Sequence, residues 1–393
     1  MKKIYSNINI IGGGLIGACA AYSLSKLNYK ITILEKNSKF NIKKHPDLRT
    51  VAISEGTKIF LNDIGIWKKI KHYAEPIKKI SVINRKLSEK IEFDNFRRLS
   101  NLGYIVKNKY LLNVLYKELN KFNNVKILNQ ADVINIENKK NLITTNLKQY
   151  SIDSDLIVAA DGKSSYVRNI FKTPIFKKNY NKKAIVLTFT HSKNHLNTAF
   201  EFFYKDGPLA ILPMKKTNNS FTSSIVWTHD AEFIDSLINF ENDNIISILN
   251  KKSQFVVGHI KEIITRQAFP ITAHINSKFY EHRTIYVGDS AHSFHPIAGQ
   301  GWNLGMNDVS SLYNLCEKYN SLGIEIGNQL FCNEYHSHNY YNAYRLYQIT
   351  DKLDLSFTNK NPIFSFFRSF GINQINKNDK LKELISDFAM GIN

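Results

Sequence analysis

The sequence predicts an α/β fold with an α+β insertion: a nucleotide-binding α/β unit, an antiparallel sheet inserted into it, and a helical C-terminal region. Three observations predict it. The first 35 residues read as strand, glycine loop, helix and strand. Between Ala184 and Thr228, runs rich in Val, Ile, Phe and Thr (Ala184–Thr190, Ala199–Phe203, Leu209–Met214, Ser223–Thr228) have the spacing of short antiparallel strands. After Gly327 the chain is helical and aromatic to its end. A chain of 393 residues can bury a large core divided over two or three domains.

Ile8–Ile11 is a short buried strand. Gly12, Gly14 and Gly17 follow in G-x-G-x-x-G spacing and open a helix from Leu15 to about Leu27. A second apolar strand, Ile31–Leu34, ends in Glu35, 18 positions after Gly17. This is the dinucleotide fingerprint of a Rossmann-type unit in the context it requires. Gly12 makes the tight turn, Gly14 admits a pyrophosphate, and Gly17 lets helix and strand pack. Glu35 is placed to accept hydrogen bonds from ribose hydroxyls, and an acid there disfavours a 2′-phosphate. The expected nucleotide is FAD or NAD(H), not NADP(H).

Asp47–Ser54 comes next, with Arg49 either a solvated cation or a group reaching phosphate or flavin. A helical segment ends near Trp67. Alternating residues from Ile77 to Phe93 suggest strands leaving the nucleotide unit, and Gly103–Val106 with a helix over Tyr110–Leu119 returns to it. Leu156–Ala160 is another apolar strand, ending in Asp161-Gly162 and the spacing D-G-x-x-S-x-x-R through Ser165 and Arg168. A turn and a helix cap account for part of that pattern.

From Thr284 the pattern is strand, acid, glycine loop, helix. Ile285–Val287 delivers Gly288-Asp289 to a strand end, and Pro296 to Asn303 forms a loop containing Gly299, Gln300 and Gly301. Leu304, Asp308, Ser311, Leu312 and Leu315 then fall at helical spacing. Two glycines around Gln300 would let the backbone lie flat against a planar ligand. The helix N-terminus behind them would favour negative charge there. The expected division is 1–76, 101–172 and 282–326 for the nucleotide unit, 77–100 and 173–281 for the sheet-built substrate unit, and 327–393 for the helical region.

The net charge of +20 comes from lysines scattered among asparagines, without zinc-finger spacing or an RNA-binding aromatic signature. Nucleic acid is not an expected partner; an acidic membrane surface is. Cys19, Cys316 and Cys332 are too few for a disulfide framework and read as buried thiols in a reducing compartment. The N-terminal apolar run is broken by Gly12–Gly14, so it does not read as a signal peptide. No apolar stretch of about 18 residues predicts a membrane-spanning helix. The expected location is cytoplasmic, with peripheral attachment to the inner face of the membrane open.

The glycine fingerprint with Glu35, the Asp161–Arg168 motif, and Gly288-Asp289-Ser290-Ala291-His292 through Pro296, Gly299–Gly301, Asn303 and Asp308 resemble the single-component flavin aromatic hydroxylases. Within them the chain is similar to the ubiquinone-biosynthesis hydroxylase family. The distinguishing stretches are Leu48–Ser54, Gly207–Pro213, Ala298–Gly301, Thr350–Leu353 and Ala389–Gly391. It departs where the family reads Glu-Asn-Arg: here Lys107-Asn108-Lys109 stands, with Lys109 keeping the charge. The resemblance implies non-covalent FAD, reduced by NADH or NADPH without a second nucleotide fold. It also implies a flavin C4a-hydroperoxide that transfers oxygen from O₂ to a polyprenylated phenol or benzoquinol ring. Pro296 and Gly299–Gly301 would form the ring-facing wall. Asn303 would sit at a helix N-terminus favouring the reduced flavin's charge. His292 and His295 read equally as bases or as structural groups, so no catalytic base is assigned and no metal is expected. A hydroxylase of a small soluble phenol, or a flavin-binding non-catalytic subunit of a membrane-associated biosynthetic complex, are the competing readings. The apolar tail from Leu353 to Ile372 is either core or a membrane-resting surface.

Overall fold

The computed structural model describes residues 2–38, 47–84, 90–94, 101–294 and 300–358, with isolated positions between 378 and 391. The chain opens with β1 (Lys2–Ile11), α1 (Leu15–Ser25) and β2 (Ile31–Glu35). Then come β3 (Thr50–Ser54), α2 (Glu55–Asp63), α3 (Trp67–Ile70), β4 (Glu75–Ile77), β5 (Lys79–Ile83), β6 (Lys90–Phe93) and β7 (Gly103–Lys107). α4 (Asn108–Leu119) leads to β8 (Val125–Asn129), β9 (Val133–Asn138), β10 (Ile143–Leu147) and β11 (Tyr150–Ala159). After α5 (Tyr166–Phe171) follow β12 (Ile175–His191), β13 (Thr198–Tyr204), β14 (Gly207–Thr217), β15 (Ser220–Asp230), α6 (Ala231–Leu237), α7 (Asn242–Lys252) and β16 (Ile260–Asn276). β17 (Tyr280–Glu281), β18 (Thr284–Tyr286) and β19 (His292–Ser293) precede α8 (Gln300–Ser321) and α9 (Gln329–Thr358).

These strands make three sheets. The first runs β17-β18-β11-β1-β2-β8, with β9 and β10 attached beside β11. From β18 to β8 its neighbours are parallel. Such strands are covered on both faces, which is why Ile8, Ile10, Leu156, Ile157 and Val158 are all fully buried. α1 is buried along almost its whole length between α4 and α8, and its Gly, Ala and Cys residues allow that close approach.

The second sheet runs β19-β16-β12-β15-β14-β13-β5-β6, antiparallel except where β13 meets β5. One face is sealed: Ile185, Leu187, Phe189, Phe202, Leu209 and Trp227 bury against Ile234, Leu237, Ile245 and Leu249 of α6 and α7. The alternation that buries these residues sends their neighbours to the other face. A small sheet, β3-β7-β4, lies against that other face through β14. There Ala199, Met214, Ile105 and Met390 share a buried cluster, with Ala52, Ile80, Val82 and Leu212 packed at its edge.

Asp351 accepts hydrogen bonds from Lys178 and Tyr180, tying α9 to β12. The three cysteines are buried free thiols in α1, α8 and α9, as expected. The apolar tail, Leu353 to Ile372, lies outside the residues whose side chains are described. Among the described residues no helix is long and apolar enough to cross a membrane.

Candidate active site

β18, β11 and β1 are neighbours running in one direction, so Gly288-Asp289, Asp161 and Gly12 leave their carboxyl ends side by side. That edge is where open α/β sheets bind ligands. The three fingerprint glycines have different surroundings. Gly12 has φ +109°, and a Cβ there would stand 2.3 Å from the Ala160 carbonyl oxygen. A Cβ on Gly17 would fall 1.9 Å from the Gly12 oxygen, so α1 packs directly on the turn. Around Gly14 there is nothing within 4 Å. No side chain caps α1 and its first turn holds no acid, so its N–H groups and positive end look into that space.

Glu35 Oε2 accepts from the Gly13 N–H at 2.9 Å, and Oε1 from the Asn37 N–H at 2.8 Å. The Tyr116 hydroxyl donates to the Gly13 carbonyl at 2.8 Å. Burial raises the Tyr116 pKa, keeping it a donor. Tyr116 was not legible as a site residue; it reads as one more apolar-face position of α4.

In the next turn, Asp161 Oδ2 accepts from the Val167 N–H at 3.0 Å and Ser165 accepts from the Arg168 N–H at 3.1 Å, so the capping account holds. Asp161 Oδ1 is buried without a partner, and burial pushes the carboxyl above its ordinary pKa. Gly162, at φ +82°, borders open space. Arg168 joins this turn to the neighbouring one: it donates to the Lys163 carbonyl at 2.7 Å and the Ser290 carbonyl at 3.2 Å. Its guanidinium also meets His274 Nε2 at 3.2 Å. Burial, with Arg168 beside it, pushes His274 down to about 3, so the ring is a neutral acceptor.

Asp289 is surrounded by protein yet keeps an exposed surface, as a side chain facing a cavity does. Burial raises its pKa, opposed by the nearby charges of His292, Lys163 and Arg49. No hydrogen bond or ion pair to its carboxyl exists among the described residues. The turn carrying it is anchored from below. Asp308 Oδ2 accepts from the Gly288 N–H at 2.8 Å and meets His292 Nε2 at 2.7 Å, with both side chains buried. His292 is thus a structural partner of Asp308. His295, Pro296 and Gly299 lie outside the described residues.

Gln300 and Gly301 were expected in the loop, and Asn303 where the loop meets the helix N-terminus. Instead they form the first turn of α8, which begins at Gln300. The reason is local: Asn303 Oδ1 accepts from the Ser54 N–H at 3.0 Å and the Thr57 hydroxyl at 2.9 Å, and Nδ2 donates to Ala52 O at 2.8 Å. These bonds hold the turn in helical register against β3 and α2. Gly301 borders open space. Arg49 is held by Asp47 through two bonds, 2.8 and 2.9 Å, while Asn108 donates to Asp47 at 2.8 Å. Its guanidinium lies 5.1 Å from the centre of the Phe269 ring. Arg49 therefore sits at the seam between nucleotide wall and second sheet.

Beside this seam lies the face of the second sheet turned away from α6 and α7, the one on which the small sheet packs. Along one row of paired positions lie Val82, Glu201, Ala210, Val226, Val186 and Gln267, all half-buried, while the chain neighbours of Ala210, Val226 and Val186 on the helix side are sealed.

The chain belongs to the FAD binding domain family, whose pattern matches residues 5–321. It is a FAD-binding flavoprotein. Among its relatives, a ubiquinone hydroxylase, UbiL, from Rhodospirillum rubrum is 27% identical over 388 residues, covering 98% of this chain and 90% of that protein. A 3-demethoxyubiquinol 3-hydroxylase from Escherichia coli is 24% identical, covering 98% of this chain and 99% of that one. In fold it resembles p-nitrophenol 4-monooxygenase PnpA from Pseudomonas putida, with a TM-score of 0.81, 16% identity, and coverage of 100% and 99%.

Proposed function

We propose that this flavoprotein is a monooxygenase that hydroxylates the aromatic ring of a polyprenylated phenol or benzoquinol precursor of ubiquinone, using O₂ and NADH or NADPH. One observation carries the reading. Among the described residues, two carboxyls with unpartnered oxygens, Asp161 and Asp289, and the uncapped α1 N-terminus lie along one carboxyl edge of the parallel sheet, beside the seam with the second sheet. These residues fit FAD. Gly14 leaves a cradle that a Cβ would fill, at a helix end suited to pyrophosphate. Glu35, already fixing the loop, remains beside it for ribose hydroxyls. Asp289 offers a free acceptor to ribityl hydroxyls, and Asp161 Oδ1 and Gly162 border the same edge. Gly288, Gln300, Gly301 and Asn303 hold the α8 end near the ring, where its positive pole stabilises negative charge. Arg49 adds a cation at the seam.

Bound FAD supplies the electron transfer and oxygen activation that no side chain can. The chain's own part is to bind, orient and dry the site. The second sheet presents Val82, Ala210, Val226 and Val186 to the substrate ring, excluding water from the reacting atoms. The long apolar substituent must leave this pocket, so we extend the proposal to a membrane surface, or an assembly at that surface, as the source of substrate.

The test is direct. Purified protein should be yellow and release FAD on heating. Cells lacking each ring hydroxylase of the pathway in turn should regain ubiquinone in one case, with the accumulated intermediate identified by mass spectrometry. Protein that holds FAD yet rescues none of these cells, and forms no hydroxylated product with NAD(P)H, would sink the reading.

A further inference from the structure

On the face of the second sheet turned away from α6 and α7, Glu201 is the ionisable side chain of the row that runs from Val82 to Gln267. Its strand neighbours Phe200 and Phe202 turn to the helix side, Phe202 into the sealed core. Glu201 itself pairs across to Ala210 on one side and Val82 on the other. Two residues before it, Ala199 packs in the cluster that also holds Ile105, with Ala52, Val82 and Leu212 at its edge. Ala52 is the residue whose carbonyl accepts from Asn303 in the first turn of α8. Through that cluster the Glu201 strand reaches towards the first turn of α8. The carboxyl is enclosed by protein while its residue keeps part of its surface accessible. No hydrogen bond or ion pair to it exists among the described residues.

A charge in such a setting normally has a partner. Burial alone pushes this carboxyl up to about 8. Among the described residues, several charged groups on neighbouring elements have partners of their own. On β5 and β6, Lys79 and Lys90 pair with Glu92, whose positions fall on the other face. Across the gap, Arg49 is held by Asp47, and Lys107 ends β7. Met214 is followed by Lys215, which donates to the His72 carbonyl.

We infer that Glu201 is the proton acceptor for the ring hydroxyl of the substrate. The inference rests on the hydroxylase reading above and names the group that reading lacks. In the step, the phenolic O–H bond breaks, its electron pair stays on oxygen, and the proton forms an O–H bond on the Glu201 carboxylate. The phenolate pushes electron density into the ring, which speeds attack of a ring carbon on an electrophilic oxygen. The proton returns to the product oxygen afterwards, so no electrons are gained or lost at Glu201. A carboxyl near 8 makes that transfer from a phenol about a hundredfold uphill, where an ordinary one would face about a millionfold.

The test uses FAD-loaded wild type, Glu201→Gln and Glu201→Asp, each checked for FAD content. Binding of a short-chain prenylated phenol and of its methyl ether is read from the flavin absorbance between about pH 6 and 9. Product formed per NAD(P)H oxidised is measured in parallel. In the wild type the preference for phenol over ether should grow with pH, as the carboxylate forms, and hydroxylation should rise with it. Glu201→Gln should flatten both profiles and lower hydroxylation by roughly a hundredfold or more, releasing peroxide instead. Glu201→Asp should restore a rising limb at a shifted pH. A FAD-loaded Gln variant that keeps the rising preference overturns the inference. Should that variant not hold FAD, an Asp variant with an unshifted limb overturns it equally. A wild type that binds phenols but hydroxylates none sinks the hydroxylase reading, while the phenol–ether comparison still decides Glu201.

Discussion

Asp289 and His274 sit within one turn of each other's surroundings and respond to burial in opposite senses. Asp289 is a raised carboxyl with an open face at the sheet's carboxyl edge, and in the proposed site it is an acceptor for FAD. Asp289→Ala should weaken FAD binding roughly tenfold to a hundredfold, the usual range for a hydrogen bond to a charged group. Titration of apo-protein with FAD, followed by fluorescence, checks this; unchanged affinity would remove Asp289 from the site. For His274 the sign runs the other way. The unfolded chain takes up a proton near 6.5, but the folded ring resists until about 3. Stability from this group is therefore present above 6.5 and lost as pH falls towards 3. His274→Gln, which keeps an acceptor for Arg168, should make Tm fall less steeply between those limits.

At the scale of elements, α1 and its loop separate folding from binding. Gly14→Ala adds a Cβ where nothing lies within 4 Å, at φ −68°, so apo stability should hold while FAD affinity drops. Gly17→Ala adds one 1.9 Å from the Gly12 oxygen and should cost about 1–3 kcal/mol of stability, seen as a lower apo Tm. Equal Tm losses in both would show that the cradle is only a packing feature. This unit was legible because glycine spacing, strand runs and Glu35 all describe local geometry. The start of α8 was not, since Gly299-Gln300-Gly301 argues for a loop and the Asn303 bonds that wind it come from β3 and α2. Glu201 was hidden for a related reason. A lone carboxylate in a strand reads as a solvent-facing position, and only the pairing of β13 with β5 and β14 turns it inward. Asp308 was visible as helical spacing, but its hold on Gly288 and His292 depends on a turn from elsewhere in the chain.

Over the whole molecule, the +20 charge has no single motif to explain it, and it would be drawn to the membrane surface proposed above where that surface is anionic. Flotation with anionic vesicles should fall several-fold as salt rises from about 0.05 to 0.5 M, and neutral vesicles should bind little at any salt. Binding indifferent to both would assign delivery of the prenylated substrate to another protein. The first sheet carries a different consequence, one of timing. β1 lies between β2 and β11, and β11 in turn waits for β18, which begins only at Thr284. While the ribosome is still making the second sheet, the growing chain holds a glycine turn and a helix end but neither Asp289 nor the α8 pole. With the proposed site, FAD capture would be a late event in the life of each molecule, and nascent chains released early should emerge colourless and dependent on chaperones.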